Sequence, residues 1–251
     1  MISKAQIQFI QSLHLKKFRQ QHRLFIAEGT KIANELLACS HLLHSVYASE
    51  DWIKQNSHKL HAAQVVEVNE QSLKKISLLA SPNEVLCLVK MEAIEFNPKQ
   101  LATEFCLALH EVQDPGNLGT IIRLADWFGI DTVLCSEGTV DAYNPKVVQA
   151  TMGSFLRCKV HYCDLKQCLE FAQKNNIPSY AAVLDGTSIY KTKLQENGLL
   201  VMGNESKGIS EELLRLITYR ISIPSFSKMN SDSLNVSIAT AILCSELRRT
   251  N

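Results

Sequence analysis

Apolar residues recur at two different periods along this chain, and the switches between those periods divide it into elements. Ile7, Ile10 and Leu13 are spaced like one face of a helix within a polar, basic stretch, so residues 4–20 are expected to form an amphipathic helix. Leu24-Phe25-Ile26-Ala27 is a short unbroken apolar run and reads as a strand. Glu28-Gly29-Thr30 follows as the turn and N-cap of a helix ending at Ala38. Residues 46–48 and 65–68 read as strands separated by a helical stretch, 71–79 as a helix and 84–91 as an apolar strand. From 92 to 99 the periodicity drops and Pro98 interrupts it. The expected division is a small α/β unit over 1–95, a linker over 96–104 and a second unit over 105–251.

The second unit alternates more regularly. Apolar runs at 105–111, 132–135, 159–162, 180–184, 199–203 and 220–223 are expected strands. Helical stretches fall between them at 118–128, 145–155, 165–175, 188–194 (a weak pattern) and 211–217, with a last helix at 234–248. Strands that are apolar on both sides, alternating with helices, imply a parallel sheet covered on both faces.

Composition adds little until charge is taken by region. The chain is 46% apolar and carries a net charge of only +1. Residues 1–31, however, hold six Lys or Arg against the single acid Glu28. This marks Lys16, Lys17, Arg19 and Arg23 as candidate phosphate contacts; a solvated helix face is the alternative. A basic, acid-poor start would also suit an organelle transit peptide, but the helical spacing runs into a strand rather than a cleavage site. No apolar run reaches transmembrane length and no secretory hydrophobic region is found, so the expected location is cytoplasmic. Eight cysteines without a C-x-x-C pair read as reduced thiols. His41 with His44, and His58 with His61, have a spacing a metal can use, but nothing beside them completes four ligands. No metal site is expected.

Candidate chemistry gathers in the last fifty residues. Leu200-Val201-Met202-Gly203-Asn204-Glu205-Ser206-Lys207-Gly208 is an apolar strand entering a Gly-flanked polar loop. Ile221-Ser222-Ile223-Pro224 is a second strand end, and Ser233-Leu234-Asn235-Val236 turns into the last helix. Two strand ends and a helix N-terminus would place backbone groups around one small pocket. Earlier, after a strand ending at Glu111, Asp114-Pro115-Gly116 makes a turn and Asn117 is expected to cap the helix that carries Arg123. Six residues separate Asn117 from Arg123, roughly 240° around a helix, so the two do not share a face. A dinucleotide fold is disfavoured because Gly116 and Gly119 do not complete G-x-G-x-x-G. The loop 203–208 likewise lacks the Gly-Lys-Ser/Thr ending of a phosphate loop.

These blocks carry a resemblance. Asn117-x-Gly119-x-x-x-Arg123 after Asp-Pro is similar to motif one of the TrmH/SpoU RNA 2′-O-methyltransferases, a branch of the SPOUT class. The blocks from Leu200 and Ser233 are similar to motifs two and three, and Asn144–Ser154 resembles a further segment given no catalytic role. Phe25-Ile26-Ala27-Glu28-Gly29 resembles the start of the ribosomal protein L30e type of substrate-binding domain that precedes many of these enzymes. The resemblance implies a SPOUT domain with a trefoil knot (which periodicity does not show), S-adenosylmethionine as cofactor, and a homodimer. It implies RNA as partner, ribosomal before transfer RNA because of the L30e-like domain. It marks Arg123, Asn117, Glu205, Ser233 and Asn235 as catalytic, with Arg123 also touching RNA, and Leu184, Gly203, Asn204, Ile223 and Leu234 as cofactor-binding. For Glu205 the alternative is shaping its loop through backbone N–H groups; for Ser233 and Asn235 it is capping the last helix. Residues 225–232 are about two longer than the family pattern. A transfer RNA methyltransferase, a non-catalytic RNA-binding relative and an unrelated nucleotide-using enzyme are the other readings.

Overall fold

Ser3 begins the first helix with a reciprocal cap: its hydroxyl accepts from Gln6 N, and Gln6 Oε1 accepts from Ser3 N. In this computed structural model, which describes residues 2–60, 64–92, 95–227 and 233–249, the expected helix over 4–20 is two helices. They are α1 (Lys4–Ser12) and α2 (Lys16–His22), parted by three successive i→i−3 turns at Leu13, His14 and Leu15. The break has a cause. It turns the Leu13 and His14 carbonyls onto the Arg19 guanidinium, at 2.9 and 2.8 Å, and that guanidinium is also paired to Asp141.

The first compact unit comprises Met1–Ala93 and Asp141–Leu156. Its sheet is built from β1 (Leu24–Glu28), β2 (Leu43–Ala48), β3 (Gln64–Glu67) and β4 (Val85–Lys90), in the order β1-β4-β2-β3. β4 runs antiparallel to β1 and β2, and β3 lies parallel to β2. The helices α3 (Thr30–Ala38), α4 (Glu50–Asn56) and α5 (Glu70–Ile76) connect them. The period-two geometry of β1 explains its complete burial. Phe25 and Ala27 face a core with Ile32, Leu36 and Trp52, while Leu24 and Ile26 face another with Ile10, Leu13 and Ile76.

The second unit comprises Ile94–Val140 and Arg157–Asn251. It opens with β5 (Phe105–Leu109), α6 (Pro115–Trp127) and β6 (Thr132–Cys135). The chain then returns to the first unit for α7 (Pro145–Thr151), where Val148 joins the Phe25 core and the Tyr143 ring lies 4.7 Å from that of Phe25. β7 (Lys159–Tyr162), α8 (Leu165–Lys174), β8 (Ser179–Ser188), β9 (Gly198–Met202), α9 (Glu211–Leu214), β10 (Tyr219–Ser222) and α10 (Val236–Arg249) complete the second unit. Its six strands are all parallel, in the order β10-β8-β9-β5-β6-β7. One face packs Cys106, Ala108, Leu134 and Val201 against Leu169 and Leu213 of α8 and α9. Helices α6 and α10 pack against each other.

The weak helix expected at 188–194 is not formed. β8 continues to Ser188, and only Ile189–Lys191 coil, as one 3₁₀ turn. Pairing with β10 holds the extra length: Ala181 lies opposite Arg220, and the next β10 residue, Ile221, lies opposite Thr187. The arc between Ala181 and Thr187 crosses β10 so closely that a Cβ on Gly186 would sit 2.6 Å from the Ile221 carbonyl carbon. Ser222 Oγ ties the crossing by donating to Gly186 O at 2.7 Å. Among the described residues no helix is long and apolar enough to cross a membrane, and no group of three His, Cys, Asp or Glu is placed to hold a metal ion.

Candidate active site

Four strands of one parallel sheet, β5, β8, β9 and β10, end near one another, and parallel strands gather their ligand-binding loops at that end. After β9 the chain closes a tight loop on itself. Asn204 and Gly208 exchange both backbone hydrogen bonds, at 3.1 and 2.9 Å, and Asn204 Oδ1 accepts from Ser206 N and Lys207 N. Asn204 Nδ2 then donates to the carbonyl of Glu111, a residue held at φ 55° after β5. Loop shaping, the alternative considered for Glu205, thus falls to Asn204. Gly203 is required where the loop closes, since a Cβ there would meet Gly208 C at 2.4 Å.

The cavity beside this loop has a volume of about 440 Å3. Leu184, Gly203, Asn204, Ile223 and Leu234, the five positions marked for the cofactor, all line it, as do Glu205 and Ser233. Its floor is apolar, from Val183, Met202, Ile209, Ile221 and Leu243, and the charged groups on it are Asp185, Glu205 and Lys207. Leu184, at the end of the apolar run of β8, is 82% exposed.

A polar chain joins this cavity to α6. The N-cap of α6 is Asp114, whose Oδ1 accepts from Asn117 N at 2.7 Å; the expected cap, Asn117, lies inside the first turn. Relieved of capping, the Asn117 side chain donates from Nδ2 to Glu205 Oε1 and accepts at Oδ1 from Asn235 Nδ2, both at 2.9 Å. Asn235 caps the final helix as well, its Oδ1 accepting from Ser237 N at 2.9 Å and Ile238 N at 3.3 Å. Three of the five residues marked as catalytic therefore form one hydrogen-bonded row.

Arg123 stands apart from that row. It is exposed on α6, does not line the cavity and has no ion-pair partner among the described residues. Of the basic residues marked for RNA, Lys16, Lys17 and Arg23 are exposed. Arg19 must be withdrawn. Its side chain is 3% exposed, and its donors are spent on Asp141 at 2.5 Å and on two carbonyls, so no phosphate reaches it. Of the stretch 225–232, expected to be about two residues longer than the family pattern, 228–232 lie outside the described residues.

Sequence reasoning missed Asp185, Met202, Ile209 and Lys207 on the cavity wall. The available signal was position: Asp185 directly follows an apolar run, at the C-terminal edge where open parallel sheets bind ligands.

The chain is similar to known proteins. Residues 104–245 match the model of the SpoU rRNA Methylase family, and residues 4–87 that of the MRM3-like substrate binding domain. The 23S rRNA (guanosine(2553)-2′-O)-methyltransferase RlmP of Bacillus subtilis is 29% identical over 250 residues, covering 94% of this chain and 93% of the relative. A solved TrmH-family structure from Porphyromonas gingivalis superposes with a TM-score of 0.91 at 38% identity over the full length of both chains. An AdoMet-bound rRNA methyltransferase from Sinorhizobium meliloti gives 0.87 at 29% identity, covering 99% of this chain and 97% of that one. The likeness read from the motif blocks and the α/β architecture with its parallel sheet are both met in these proteins.

Proposed function

Because the chain belongs to the SpoU rRNA Methylase family, we propose that it transfers a methyl group from S-adenosylmethionine to a ribose 2′-hydroxyl of ribosomal RNA. The observation that carries this reading is the cavity made by three separate sequence blocks and joined to α6 by the Asn117–Glu205–Asn235 row. Ribosomal RNA is favoured over transfer RNA by the names of the relatives and by the substrate-binding domain matched at residues 4–87.

The residues present fit the cofactor. A cavity of about 440 Å3 lies within the range of roughly 300–1,000 Å3 usual for small-molecule sites. Its apolar floor suits an adenine ring, and Gly203 leaves the backbone open where a side chain could not fit. Two acids against one lysine suit a ligand whose net charge is positive. When bound, S-adenosylmethionine supplies an electrophilic methyl on a sulfonium. A 2′-hydroxyl is a weak nucleophile, so the protein's share of the work is to hold it in line and exclude water. Asn117 and Asn235, fixed by Glu205 and by the cap of α10, are placed to present amide groups to the ribose. A guanidinium is a planar cation with five fixed donors and no acceptor, so the role of Arg123 is to hold a substrate phosphate. The proton then leaves to that phosphate or to water.

Within this proposal residues 1–95 present Lys16, Lys17 and Arg23 to RNA and serve as the substrate-binding part; 96–104 links them to the methyltransferase part at 105–251, whose excursion 141–156 packs within the first compact unit. The trefoil knot, the homodimer and a cytoplasmic location belong to the same reading. For the dimer the support is physical. The helix α10 buries Val236, Thr240, Leu243 and Leu247, yet leaves Ile238 53% exposed, and Trp127 of α6 is 82% exposed. Incubation with methyl-labelled S-adenosylmethionine and unmodified ribosomal RNA should label RNA, and mapping should place the methyl on one ribose. Labelling of transfer RNA alone would overturn the ribosomal assignment, and cofactor binding without transfer to any RNA would overturn the activity.

A further inference from the structure

A second groove of the same unit differs in chemistry from the cofactor cavity. Its volume is about 530 Å3, and Lys191, Lys193, Arg220 and Tyr219 line it with several threonines. It shares Asp185 and Ile221 with the cofactor cavity, so the two lie on either side of one wall. We infer that this groove holds the sugar–phosphate backbone of the RNA strand that enters the methyl-transfer site, an inference that rests on the function proposed above.

The groove is a product of the β8–β10 crossing. The same arc of β8 lines the cofactor cavity through residues 182–185 and the groove through residues 185–187, before the chain bends back through Lys191 and Lys193. Gly186 in close contact with β10, and the Ser222–Gly186 hydrogen bond, fix the wall between the two.

Charge decides what would occupy it. Lys191, Lys193 and Arg220 stand against one acid, Asp185, and none of the three has an ion-pair partner among the described residues. Four other cations of this unit are committed, Arg157 to Asp126, Lys166 to Glu212, Arg249 to Glu246, and Arg248 to the carbonyls of Phe128 and Gly129. Three uncommitted cations spread along an open groove match successive phosphates. Tyr219 adds a stacking platform. Tyr219 is 46% exposed and its ring rests on that of the buried Tyr180, 5.3 Å between centroids at 21°. Cations that track a backbone, beside a fixed aromatic ring, form the usual equipment for single-stranded nucleic acid.

The test uses the full chain, a fluorescent short oligouridylate as probe, and anisotropy titrations over a range of salt. The triple variant Lys191→Ala, Lys193→Ala, Arg220→Ala is compared with a charge-matched control on the same unit, Lys99→Ala, Lys159→Ala, Lys174→Ala, all three exposed. Loss of three phosphate contacts should flatten the slope of log affinity against log salt by about 2, each contact contributing about 0.7 on a single strand. The control should change it far less. Tyr219→Ala should weaken binding roughly 5- to 150-fold, the range for one lost base stack, and Tyr219→Phe should restore it. Calorimetric affinity for S-adenosylmethionine should stay within about twofold in every variant, as the three cations lie outside its cavity. The single variants Lys191→Ala and Lys193→Ala give the same reading, each with a slope change of about 0.7, should the triple variant melt early. An unchanged slope in the groove variants, or an equal loss in the control, would overturn the groove. A parent chain that binds the probe through the groove, yet transfers no methyl to any RNA, would overturn the activity and leave the groove standing.

Discussion

Replacing Gly203 with alanine tests whether the closed loop after β9 is what holds the cofactor. The new Cβ would lie 2.4 Å from Gly208 C, 2.6 Å from Ile209 N and 2.8 Å from Gly208 O. All three are backbone atoms, so no flexible side chain can yield. Ordinary carbon contacts begin near 3.5 Å, and the two sides of the loop must therefore part by about 1 Å. The hydrogen bonds between Asn204 and Gly208, now 3.1 and 2.9 Å, are lost at that separation. At about 0.5–1.5 kcal/mol each, the local cost is roughly 1–3 kcal/mol. The same loop lines the cavity, so the cost falls on cofactor binding and predicts a loss of affinity of roughly 5- to 150-fold. Gly208→Ala supplies the contrast. Gly208 has φ +67° but open space around its Cβ position, so only backbone strain of about 1 kcal/mol is added and the loop need not part. Calorimetric titration of both variants with S-adenosylmethionine reads the difference. A Gly203→Ala chain that binds within about twofold of the parent would refute the reasoning.

Five other outcomes follow from the structure. Arg19→Ala strands the buried Asp141 carboxylate and should lower stability by about 3–5 kcal/mol in urea titrations while leaving the salt slope of RNA binding unchanged. Alanine at Lys16, Lys17 and Arg23, which are exposed, should flatten that slope at little cost in stability, and the reverse pattern would reinstate Arg19 as a phosphate contact. Arg123→Ala should abolish methyl transfer with cofactor affinity intact, because Arg123 lies outside the cavity; parallel loss of both would put it in the cofactor site. If the active unit is a homodimer with shared sites, inactive Arg123→Ala and Asn235→Ala chains should regain activity when mixed and refolded, whereas a fully active monomer by sedimentation would end that idea. Burial pushes the Cys87, Cys106, Cys158 and Cys244 thiols up to about 12. Unfolded thiols release their protons near ~8.5, so above that pH the unfolded chain holds fewer protons than the folded one. Urea midpoints should be insensitive to these thiols below that value and fall as pH rises from about 8.5 toward 12, and rapid labelling of the four in the native chain at mildly alkaline pH would contradict it.

Much of the architecture was legible because local pattern and tertiary environment agree. The strands of the second unit are buried on both faces, so they appear in the sequence as unbroken apolar runs, and alternation with helices implies a parallel sheet before any coordinate is known. The motif blocks at 200–208, 221–224 and 233–236 likewise pointed to one pocket, because strand ends and helix starts carry recognisable loop chemistry. The sequence alone also determined which residue types were available: amides at 117 and 235, a carboxylate at 205 and a glycine at 203. It did not determine their partners. Asp114 and Asn117 are both good caps, and only the packing of α6 decided that Asp114 takes the role and releases Asn117 toward Glu205 and Asn235, 88 and 118 residues away in sequence. Lys16, Lys17 and Arg19 look alike in a charge tally. The turn at Leu13–Leu15 and the arrival of Asp141 from the excursion 141–156 buried one of them and left the others in water. Residues 188–194 have a weak helical pattern, yet β8 runs on in pairing with β10 to Ser188 and only Ile189–Lys191 coil, as a single 3₁₀ turn. Sequence fixes periodicity and side-chain chemistry, which are local; the hydrogen bonds and ion pairs that assign each polar group its role join residues tens to more than a hundred positions apart, and only the folded chain brings them within 3 Å.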